Sequence, residues 1–389
     1  MEDCVNFQGV NIIELENGFI NLNMVNIKLK LRSNMTRRGF LGGAAAMAAT
    51  GCVSSGSLVK NAAGSASLET TKKWFKEAQF GMMAHWGLYT LLGGEWNGRP
   101  GRHAYGEWIQ WGEKIPMKDY GALAKAFNPI MFNPKDWMKR ARDAGMKYFV
   151  FTSKHHDGFA MYRSRVSKYN VVDATPFKRD IVEELAEACR DTGLKLGLYY
   201  SQDLDWSEPD GGGKKNEAGQ RNWGKADWRN TWDWPADRDY DFSRYFESKC
   251  KGQVKEILTQ YGDLCLIWFD VPSTISFDQC KELEAMVRKY QPGCLINGRL
   301  GYGLGDYTTP GDNCIADKTD AGKLYETVGT MNHSWGYRPT DVNYRSVDEI
   351  KAIKAKCASI GSNYMLNIGP DPLGRIPAGG IKILNGLKG

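Results

Sequence analysis

The sequence predicts an α/β fold in which the strands of a parallel sheet alternate with helices. From residue 71 onward, short apolar runs alternate with amphipathic stretches, the order expected of repeated strand-helix units. The chain has 389 residues, 42% of them hydrophobic and 12% aromatic. That length and composition can bury a large core and suit one barrel-sized domain once a leader is set aside.

Six apolar runs have the length and composition of buried strands. The predicted strands are Phe80–His85, Lys147–Ser153, Lys195–Tyr200, Asp263–Phe269, Cys294–Asn297 and Tyr364–Ile368. Their repetition over this length favours a (β/α) barrel. An open, doubly wound sheet gives the same local pattern, so periodicity alone leaves that alternative open.

The clearest predicted helix lies over Asp180–Gly193. Asp180 is a suitable N-cap, apolar residues recur at the spacing of one helix face, and Gly193 is a suitable end. Similar patterns predict helices over the ranges Pro134–Gly145, Glu247–Gly262 and Ile381–Leu387. Residues 201–245 break the rhythm with three consecutive glycines and five tryptophans, which indicates a functional loop.

Charge and cysteine usage exclude several classes of function. The formal net charge of +6 is not concentrated in any basic run, which argues against a nucleic-acid partner. The nine cysteines include no C-x-x-C pair, which argues against a zinc site and a dense disulfide framework. The sequence therefore implies no metal and no cofactor.

The first 70 residues have the organisation of an export signal. Thr36-Arg37-Arg38-Gly39-Phe40-Leu41, the small-residue stretch after it and Cys52 resemble a twin-arginine signal that ends in a lipoprotein-type cysteine. We therefore expect a mis-called start over 1–34, a signal over 35–52, a flexible tether over 53–70 and the barrel over 71–389. An exported periplasmic or surface lipoprotein of a bacterium follows, with Cys52 as its only membrane contact.

Histidines and one acid mark the ends of predicted strands. His85, His155 and His156 are three of only five histidines, and Asp270 ends the apolar run Leu264–Phe269. The carboxyl ends of barrel strands form the active-site face. A zinc site is an alternative, but adjacent residues such as His155 and His156 point to opposite faces of an extended chain. Asp270 is equally suited, by pattern alone, to catalysis or to capping a helix.

Several segments, in order, resemble the motifs of the α-L-fucosidases, glycoside hydrolase family 29. They lie between residues 74 and 377 and include F-G-M-M-A-H-W-G-L-Y, E-W, K-Y-F-V-F-T-S-K-H-H-D-G-F-A-M-Y, L-G-L-Y-Y-S, I-W-F-D, M-N-H-S-W-G-Y and L-N-I-G-P-D-P-L-G-R-I-P. The resemblance implies an irregular (β/α)8 barrel. Many relatives append a C-terminal β-sandwich, and we expect none in this sequence.

The resemblance also implies a retaining exo-glycosidase for terminal α-L-fucosyl residues of oligosaccharides, glycoproteins or polysaccharides. Such enzymes use one carboxylate as nucleophile and another as acid/base, and the matching motif makes Asp270 the nucleophile. The same matching implies a set of residues that line the sugar pocket. They are His85, Glu95, Trp96, His155, His156, Tyr200, Trp268, Arg299 and Trp335.

The acid/base is where the sequence departs from its relatives. Their segment G-D-Y-x-T-P-E corresponds to Gly305–Gly311, so Gly311 stands where the glutamate is expected. Counting back from Ile315 puts Asp312 at the acidic position, and Glu326 is the second candidate. If the acid is missing, a non-catalytic fucose-binding protein is the alternative. An α-L-galactosidase is another, since that sugar differs from fucose by one hydroxyl.

Overall fold

Eight parallel strands form the centre of the molecule in a computed structural model, which describes residues 4–6, 66–214 and 227–388. The strands are β1 (Phe80–Ala84), β2 (Tyr148–Lys154), β3 (Lys195–Tyr200), β4 (Leu266–Phe269), β5 (Leu295–Ile296), β6 (Tyr307–Thr308), β7 (Leu324–Thr330) and β8 (Ser362–Ile368). Their order in the sheet is β5-β4-β3-β2-β1-β8-β7-β6. A parallel bridge between Asn297 and Tyr307 joins the two edges. The sheet is thus a nearly closed barrel, and the predicted fold class is confirmed.

Helices surround most of the barrel, and the first of them packs Phe75 against the interior rings of Tyr148 and Tyr307. They are α1 (Leu68–Ala78), α2 (Ile109–Glu113), α3 (Met117–Ala122), α4 (Pro134–Asp143), α5 (Val171–Ala174), α6 (Ile181–Thr192), α7 (Phe242–Tyr245), α8 (Lys251–Gln260), α9 (Phe277–Tyr290), α10 (Val347–Ser359) and α11 (Ala378–Gly386). A π-helical turn, Phe246–Cys250, joins α7 to α8. Short 3-10 turns lie at Leu88–Leu91, Gly106–Trp108, Leu123–Lys125 and Gly298–Leu300. The antiparallel pairs outside the barrel are Glu95–Trp96 with Arg99–Pro100, and Cys4–Asn6 with Cys314–Ala316.

Helix α6 forms for the reasons visible in its sequence. The Asp180 side chain accepts a hydrogen bond from the Glu183 backbone N–H, and Gly193 ends the helix in the left-handed conformation at φ 76°. Ile181, Leu185 and Cys189 are buried on one face. Local capping and one apolar stripe therefore fix the helix.

The strand predictions are confirmed for six strands and miss two. Strand β6 has only two residues, and β7 carries the polar residues Glu326 and Thr327 inside the barrel wall. Neither forms an apolar run, which is the signal on which the predictions depended. The helix predicted over Glu247–Gly262 is confirmed as far as Gln260, but its first turn is the π-helical Phe246–Cys250.

Residue parity divides the core into a barrel interior and an outer layer. On β3, Leu198 and Tyr200 pack toward the helices, whereas Tyr199 belongs to the interior cluster. On β4, Ile267 packs outward and Trp268 inward. Alternation along a strand produces this division, so only every second strand residue can reach the barrel mouth.

The predicted segments at the amino end lie almost wholly outside the described residues. This holds for 1–34, apart from the backbone of 4–6, for 35–52 and for 53–65. Helix α1 begins at Leu68, inside the predicted tether 53–70. After β8, the described chain forms α11. Within the described ranges, no helix has the length and apolar character needed to cross a membrane.

Candidate active site

Asp270 lies directly after β4 at the carboxyl end of the barrel. Its Oδ2 accepts a hydrogen bond from the Tyr199 hydroxyl at 2.9 Å, and its Oδ1 accepts one from Arg299 Nη1 at 2.8 Å. Its side chain is 10% exposed. A buried carboxylate needs such partners, and this one retains an opening toward the mouth. Asp270 therefore does not cap a helix: α9 is capped by Ser276.

Arg299 joins Asp270 to the second candidate carboxylate. Its Nη2 donates to Asp312 Oδ1 at 2.5 Å, while its Nη1 is bound to Asp270. Binding to neighbouring nitrogens of one guanidinium brings the two carboxylates near each other, and the paired carboxyl groups of retaining glycosidases are about 5–5.5 Å apart. Asp312 lies between β6 and β7 with a side chain 34% exposed. The two acidic candidates thus share one cation at the mouth.

Glu326, the second acid/base candidate, is located elsewhere. It lies within β7 with no solvent exposure, where its Oε1 accepts from the Tyr148 hydroxyl at 2.7 Å and its Oε2 from Trp268 Nε1 at 3.0 Å. Burial raises the pKa of Glu326 to about 7, although the hydrogen bonds from Tyr148 and Trp268 oppose the shift. Glu326 is therefore an interior residue of the barrel rather than a residue of its mouth.

His85 follows β1 and is held as a neutral imidazole. Asn367 donates through Nδ2 to the Trp335 carbonyl at 2.8 Å, so its Oδ1 must accept from His85 Nδ1–H at 2.7 Å. Burial lowers the pKa of His85 to about 4. Its Nε2 is consequently a lone-pair acceptor, available to a sugar hydroxyl. Trp335 flanks the ring, with centroids 5.2 Å apart.

His155 and His156 lie side by side, contrary to the expectation that they face opposite ways. Their ring centroids are 4.1 Å apart. Strand β2 ends at Lys154 with a register shift between Thr152 and Lys154, so the chain is no longer extended at the histidines. Burial lowers the pKa of both imidazoles well below the usual value, and the Lys154 ammonium adds to the fall.

His156 faces Asp270 across a short gap. Ser201 Oγ donates to the Leu204 carbonyl at 2.8 Å, so it accepts from His156 Nδ1–H at 2.7 Å. This leaves His156 Nε2 without a proton in the neutral ring, 3.7 Å from Asp270 Oδ2. A substrate hydroxyl that reaches this gap can donate its one proton to either acceptor.

A row of stacked rings crosses the mouth beneath these groups. Tyr199 stacks on His155 with centroids 5.6 Å apart and on Trp268 with centroids 5.5 Å apart. The Arg299 guanidinium carbon lies 4.7 Å from the centre of the Trp268 ring. Packing of this kind limits the movement of the hydrogen-bonding groups.

The prediction of Tyr200 as a pocket residue is wrong, and Tyr199 takes its place. The Tyr200 hydroxyl donates to Gln253 Oε1 at 3.0 Å in the layer between β3 and α8. Tyr199 has the opposite parity and contacts Asp270. Because the two tyrosines are consecutive and identical, the sequence did not indicate which of them points into the barrel. In the structure, Gly197 and Tyr199 pair in register with Leu266 and Trp268 of β4, and these residues lie on the same strand face as Asp270.

The structure also separates the predicted Glu95 and Trp96 from this site. Glu95 is exposed and pairs with Pro100 in a small hairpin, and Trp96 packs on the outer core. A second Glu-Trp dipeptide, at 107–108, lies at the mouth instead. The Trp108 ring is 5.0 Å from that of His156.

Glu107 is a buried acid that the sequence reasoning missed. Its Oε2 accepts from the Gly336 backbone N–H at 2.8 Å, next to Trp335. Burial raises the pKa of Glu107 to about 8, and the negative charge of Asp312 adds to the rise. The chain contains two Glu-Trp dipeptides twelve positions apart; comparing both with the motif would have identified this second candidate.

The loop predicted over 201–245 contributes an aromatic wall. The Trp206 ring lies 5.6 Å from His156 and 5.3 Å from Trp108, and its Nε1 donates to the Trp228 carbonyl at 2.8 Å. Trp223 lies outside the described residues. The described part of the loop thus borders the pocket. Among the described residues no cluster of three or more metal-ligating side chains occurs.

The site consists of two carboxylates on one arginine at the carboxyl end of a nearly closed barrel. Neutral histidines and aromatic rings surround the two carboxylates. This is the arrangement of a glycoside hydrolase. The sequence matches the protein-family model for Alpha-L-fucosidase over residues 48–388. The chain belongs to the α-L-fucosidase family.

Individual relatives agree with that assignment. The α-L-fucosidase of Branchiostoma floridae is 28% identical over 329 residues, which are 78% of this chain and 66% of that protein. The tissue α-L-fucosidase of Rattus norvegicus is 28% identical over 335 residues, 78% of this chain and 64% of that protein. The chain thus spans less than two thirds of the length of these curated relatives.

Solved structures are more similar, and those of one relative match over nearly their whole length. Unliganded α-L-fucosidase AlfC from Lactobacillus casei has a TM-score of 0.77 at 49% identity, covering 82% of this chain and 97% of that one. An AlfC variant in complex with Fuca(1,6)GlcNAc has a TM-score of 0.75 at 48% identity, covering 81% and 97%. Isoenzyme 1 from Paenibacillus thiaminolyticus has a TM-score of 0.71 at 35% identity, covering 82% and 75%.

Proposed function

We propose that this chain is a retaining exo-α-L-fucosidase in which Asp270 is the nucleophile and Asp312 the acid/base. The observation that carries the proposal is the pair of hydrogen bonds from Arg299, one to each carboxylate. The histidines, Tyr199, Trp268 and Trp335 form the fucose pocket around them. Fucosylated oligosaccharides, glycoproteins or polysaccharides are the substrate class.

In the first half-reaction, a carboxylate oxygen of Asp270 attacks the anomeric carbon while the glycosidic C–O bond breaks. Asp312 donates its proton to the departing oxygen, and a fucosyl ester forms on Asp270. In the second half-reaction, Asp312 takes a proton from water. The resulting hydroxide oxygen bonds to the anomeric carbon and releases Asp270.

Arg299 suits this two-step reaction because the combined charge of Asp270 and Asp312 stays constant. Before attack, the negative charge is on Asp270 and the proton is on Asp312. In the ester intermediate, the negative charge is on Asp312. One guanidinium in contact with both carboxylates compensates the charge in either state, with no rearrangement between the half-reactions.

The pocket offers the polar and apolar surfaces that fucose requires. His85 Nε2 and His156 Nε2 are acceptors in neutral rings, and the latter lies 3.7 Å from Asp270 Oδ2. Sugar hydroxyls can donate to these nitrogens. The Trp335 ring beside His85 provides an apolar surface for the methyl group that distinguishes fucose from L-galactose.

The test is hydrolysis of 4-nitrophenyl α-L-fucoside and of the matching α-L-galactoside by the full chain and its variants. We expect turnover of the fucoside and loss of at least 1000-fold in Asp270→Asn, because the nucleophile is gone. A matched control is Asp306→Asn. Asp306 is a buried aspartate that pairs with Arg288 at 2.6 Å, away from the mouth, and the variant should retain turnover.

Three outcomes would overturn this function. Wild-type rates in Asp270→Asn would refute the nucleophile. Faster hydrolysis of the galactoside than of the fucoside by wild-type protein would assign the other sugar, and no turnover of either by folded protein would favour sugar binding without catalysis.

We also propose that the protein is exported as a lipoprotein. The support is the sequence alone: Arg37-Arg38 followed by an apolar small-residue stretch and Cys52. When the full chain is expressed in a bacterium, it should fractionate with membranes, and Cys52→Ser should release it into the exported soluble fraction. Equal fractionation of the two would contradict the lipid anchor.

A further inference from the structure

Gln202 is a completely buried amide that contacts the two central residues of the site from behind. It follows β3 by two positions and has no solvent exposure. Its Oε1 accepts from the Asp270 backbone N–H at 2.8 Å, and its Nε2 donates to the Arg299 backbone carbonyl at 3.1 Å. One side chain thus fixes the distance between the backbones of the nucleophile and of the arginine that binds it.

The backbone just after Asp270 needs such support because it is strained. Val271 has φ 45°, in the left-handed region that a β-branched residue rarely adopts. A conformation of this kind persists only where neighbouring contacts impose it. The Gln202 amide binds the backbone of Asp270, the residue before Val271. The backbone of the residues after Val271 is bound by the side chain of residue 203.

That side chain is Asp203, which is also completely buried. Its Oδ2 accepts hydrogen bonds from three successive backbone N–H groups, those of Ser273 at 2.9 Å, Thr274 at 2.7 Å and Ile275 at 2.7 Å. Gln202 and Asp203 therefore bind the chain on both sides of Val271. Neither side chain faces the sugar pocket, so their contacts act through other residues.

We propose that Gln202 is a positioning residue that sets the separation of Asp270 and Arg299, with Asp203 holding the adjoining loop. This inference rests on the proposed function. The separation is important because Arg299 contacts Asp312 as well. A shift of the Asp270 backbone would change the distance from the nucleophile to the anomeric carbon and also its distance from the acid/base, and small displacements are costly to catalysis.

The chain supplies a matched control for this role. Gln253 is another fully buried glutamine with two side-chain hydrogen bonds, accepting from the Tyr200 hydroxyl at 3.0 Å and donating to Ser164 Oγ at 3.2 Å. It lies in the helix layer. Replacing it costs stability in the same way, but it touches neither carboxylate nor Arg299.

The experiment compares Gln202→Met with Gln253→Met in the full chain. We expect both variants to melt at a lower temperature, whereas only Gln202→Met loses kcat on 4-nitrophenyl α-L-fucoside, by at least tenfold. A second variant, Gln202→Glu, keeps the volume and the acceptor for Asp270 N–H. Its added negative charge near the nucleophile should move the acid limb of the pH profile of kcat/KM to higher pH.

A binding measurement separates this inference from the proposed function. The iminosugar deoxyfuconojirimycin is a fucose-shaped cation, and its affinity requires a well-placed Asp270 carboxylate but no turnover. Calorimetry should show at least tenfold weaker binding to Gln202→Met and unchanged binding to Gln253→Met. If wild-type protein binds without turning over, the proposed function fails while this inference is still tested. Wild-type affinity, kcat and pH profile in both Gln202 variants would overturn the inference.

Discussion

The first and second parts of the barrel are built differently. In the regular half, residues 80–270, strands β1 to β4 have four to seven residues and are separated by helices. In the irregular segment, residues 295–330, β5 and β6 have two residues each, and no α-helix of the described chain lies between β5 and β7. The regular half carries the histidines, Tyr199 and Asp270, and the irregular segment carries Arg299 and Asp312.

The difference matches what each proposed role requires. Asp270 must hold one position against the anomeric carbon, and its side chain is 10% exposed with hydrogen bonds to both oxygens. Asp312 must protonate leaving groups of different shapes, and its side chain is 34% exposed on a long connection. A rigid frame therefore suits the nucleophile, and an open connection suits the acid/base.

The largest expected effect concerns the acid in the irregular segment. Asp312→Ala should lower kcat/KM about 100- to 10,000-fold on natural fucosides and much less on the 4-nitrophenyl fucoside, whose leaving group needs little protonation. Sodium azide should restore turnover of the aryl substrate and yield α-L-fucosyl azide. Kinetics and product NMR provide the measurement.

The comparison for that prediction is Glu326→Gln in strand β7. Because Glu326 is bonded to Tyr148 and Trp268 inside the barrel, its variant should show no azide rescue and no dependence on the leaving group. If that pattern appeared in Glu326→Gln and not in Asp312→Ala, the assignment of the acid would be reversed.

A smaller effect on activity is expected from substitutions of Tyr199 and Tyr200, neighbours on β3 that point into the site and into the outer layer, respectively. Tyr199→Phe removes the hydrogen bond to Asp270 Oδ2, so kcat/KM should fall about 10- to 100-fold, since a hydrogen bond to a charged group contributes about 1.5–3 kcal/mol. Tyr200→Phe removes a bond to Gln253. It should lower the melting temperature and leave kcat/KM within twofold of wild type; equal losses of activity in both variants would defeat the parity argument.

The smallest effect is a pH dependence of stability from Glu326. Burial raises the pKa of Glu326 in the folded protein to about 7 from the ordinary value of 4.5. The stability linked to its bound proton is complete below about pH 4.5 and is lost as pH rises through 7. The free energy of unfolding of Glu326→Gln minus that of wild type should therefore increase by about 1–3 kcal/mol between pH 5 and pH 8.

Urea unfolding at the two pH values measures this change. Glu95→Gln, at an exposed position, supplies the control for the Glu-to-Gln substitution itself. A Glu326→Gln difference that does not change with pH would show that the buried carboxyl does not titrate in this range.

Sequence-based prediction also succeeded to different extents in the two parts of the barrel. Asp270 stood out because an apolar run that ends in an acid is unusual, and the resemblance to the α-L-fucosidases then implied a nucleophile rather than a helix cap. Strand β7 was missed because Glu326 interrupts its apolar pattern inside the barrel, where Tyr148 and Trp268 satisfy the carboxyl group. Periodicity detects strands only where interior positions are apolar.

Contacts between distant segments were beyond the reach of sequence patterns. The choice of Tyr200 over Tyr199 failed because neighbouring tyrosines differ only in parity. The prediction of Glu95 failed, and Glu107 was missed, because a Glu-Trp dipeptide carries no information on which copy approaches Trp335. Both choices depend on tertiary packing, here the register of β3 with β4 and the contact of Glu107 with Gly336.

Trapping of the covalent intermediate tests the central claim most directly. The full chain is incubated with 2-deoxy-2-fluoro-α-L-fucosyl fluoride, whose fluoride leaves without protonation while the fluorine at C2 slows release of the sugar. Mass spectrometry of the digest should find one fluorofucosyl group on the peptide that contains Asp270, and none on Asp270→Asn. A label on another carboxylate, or turnover of the aryl fucoside with no label at Asp270, would contradict the account.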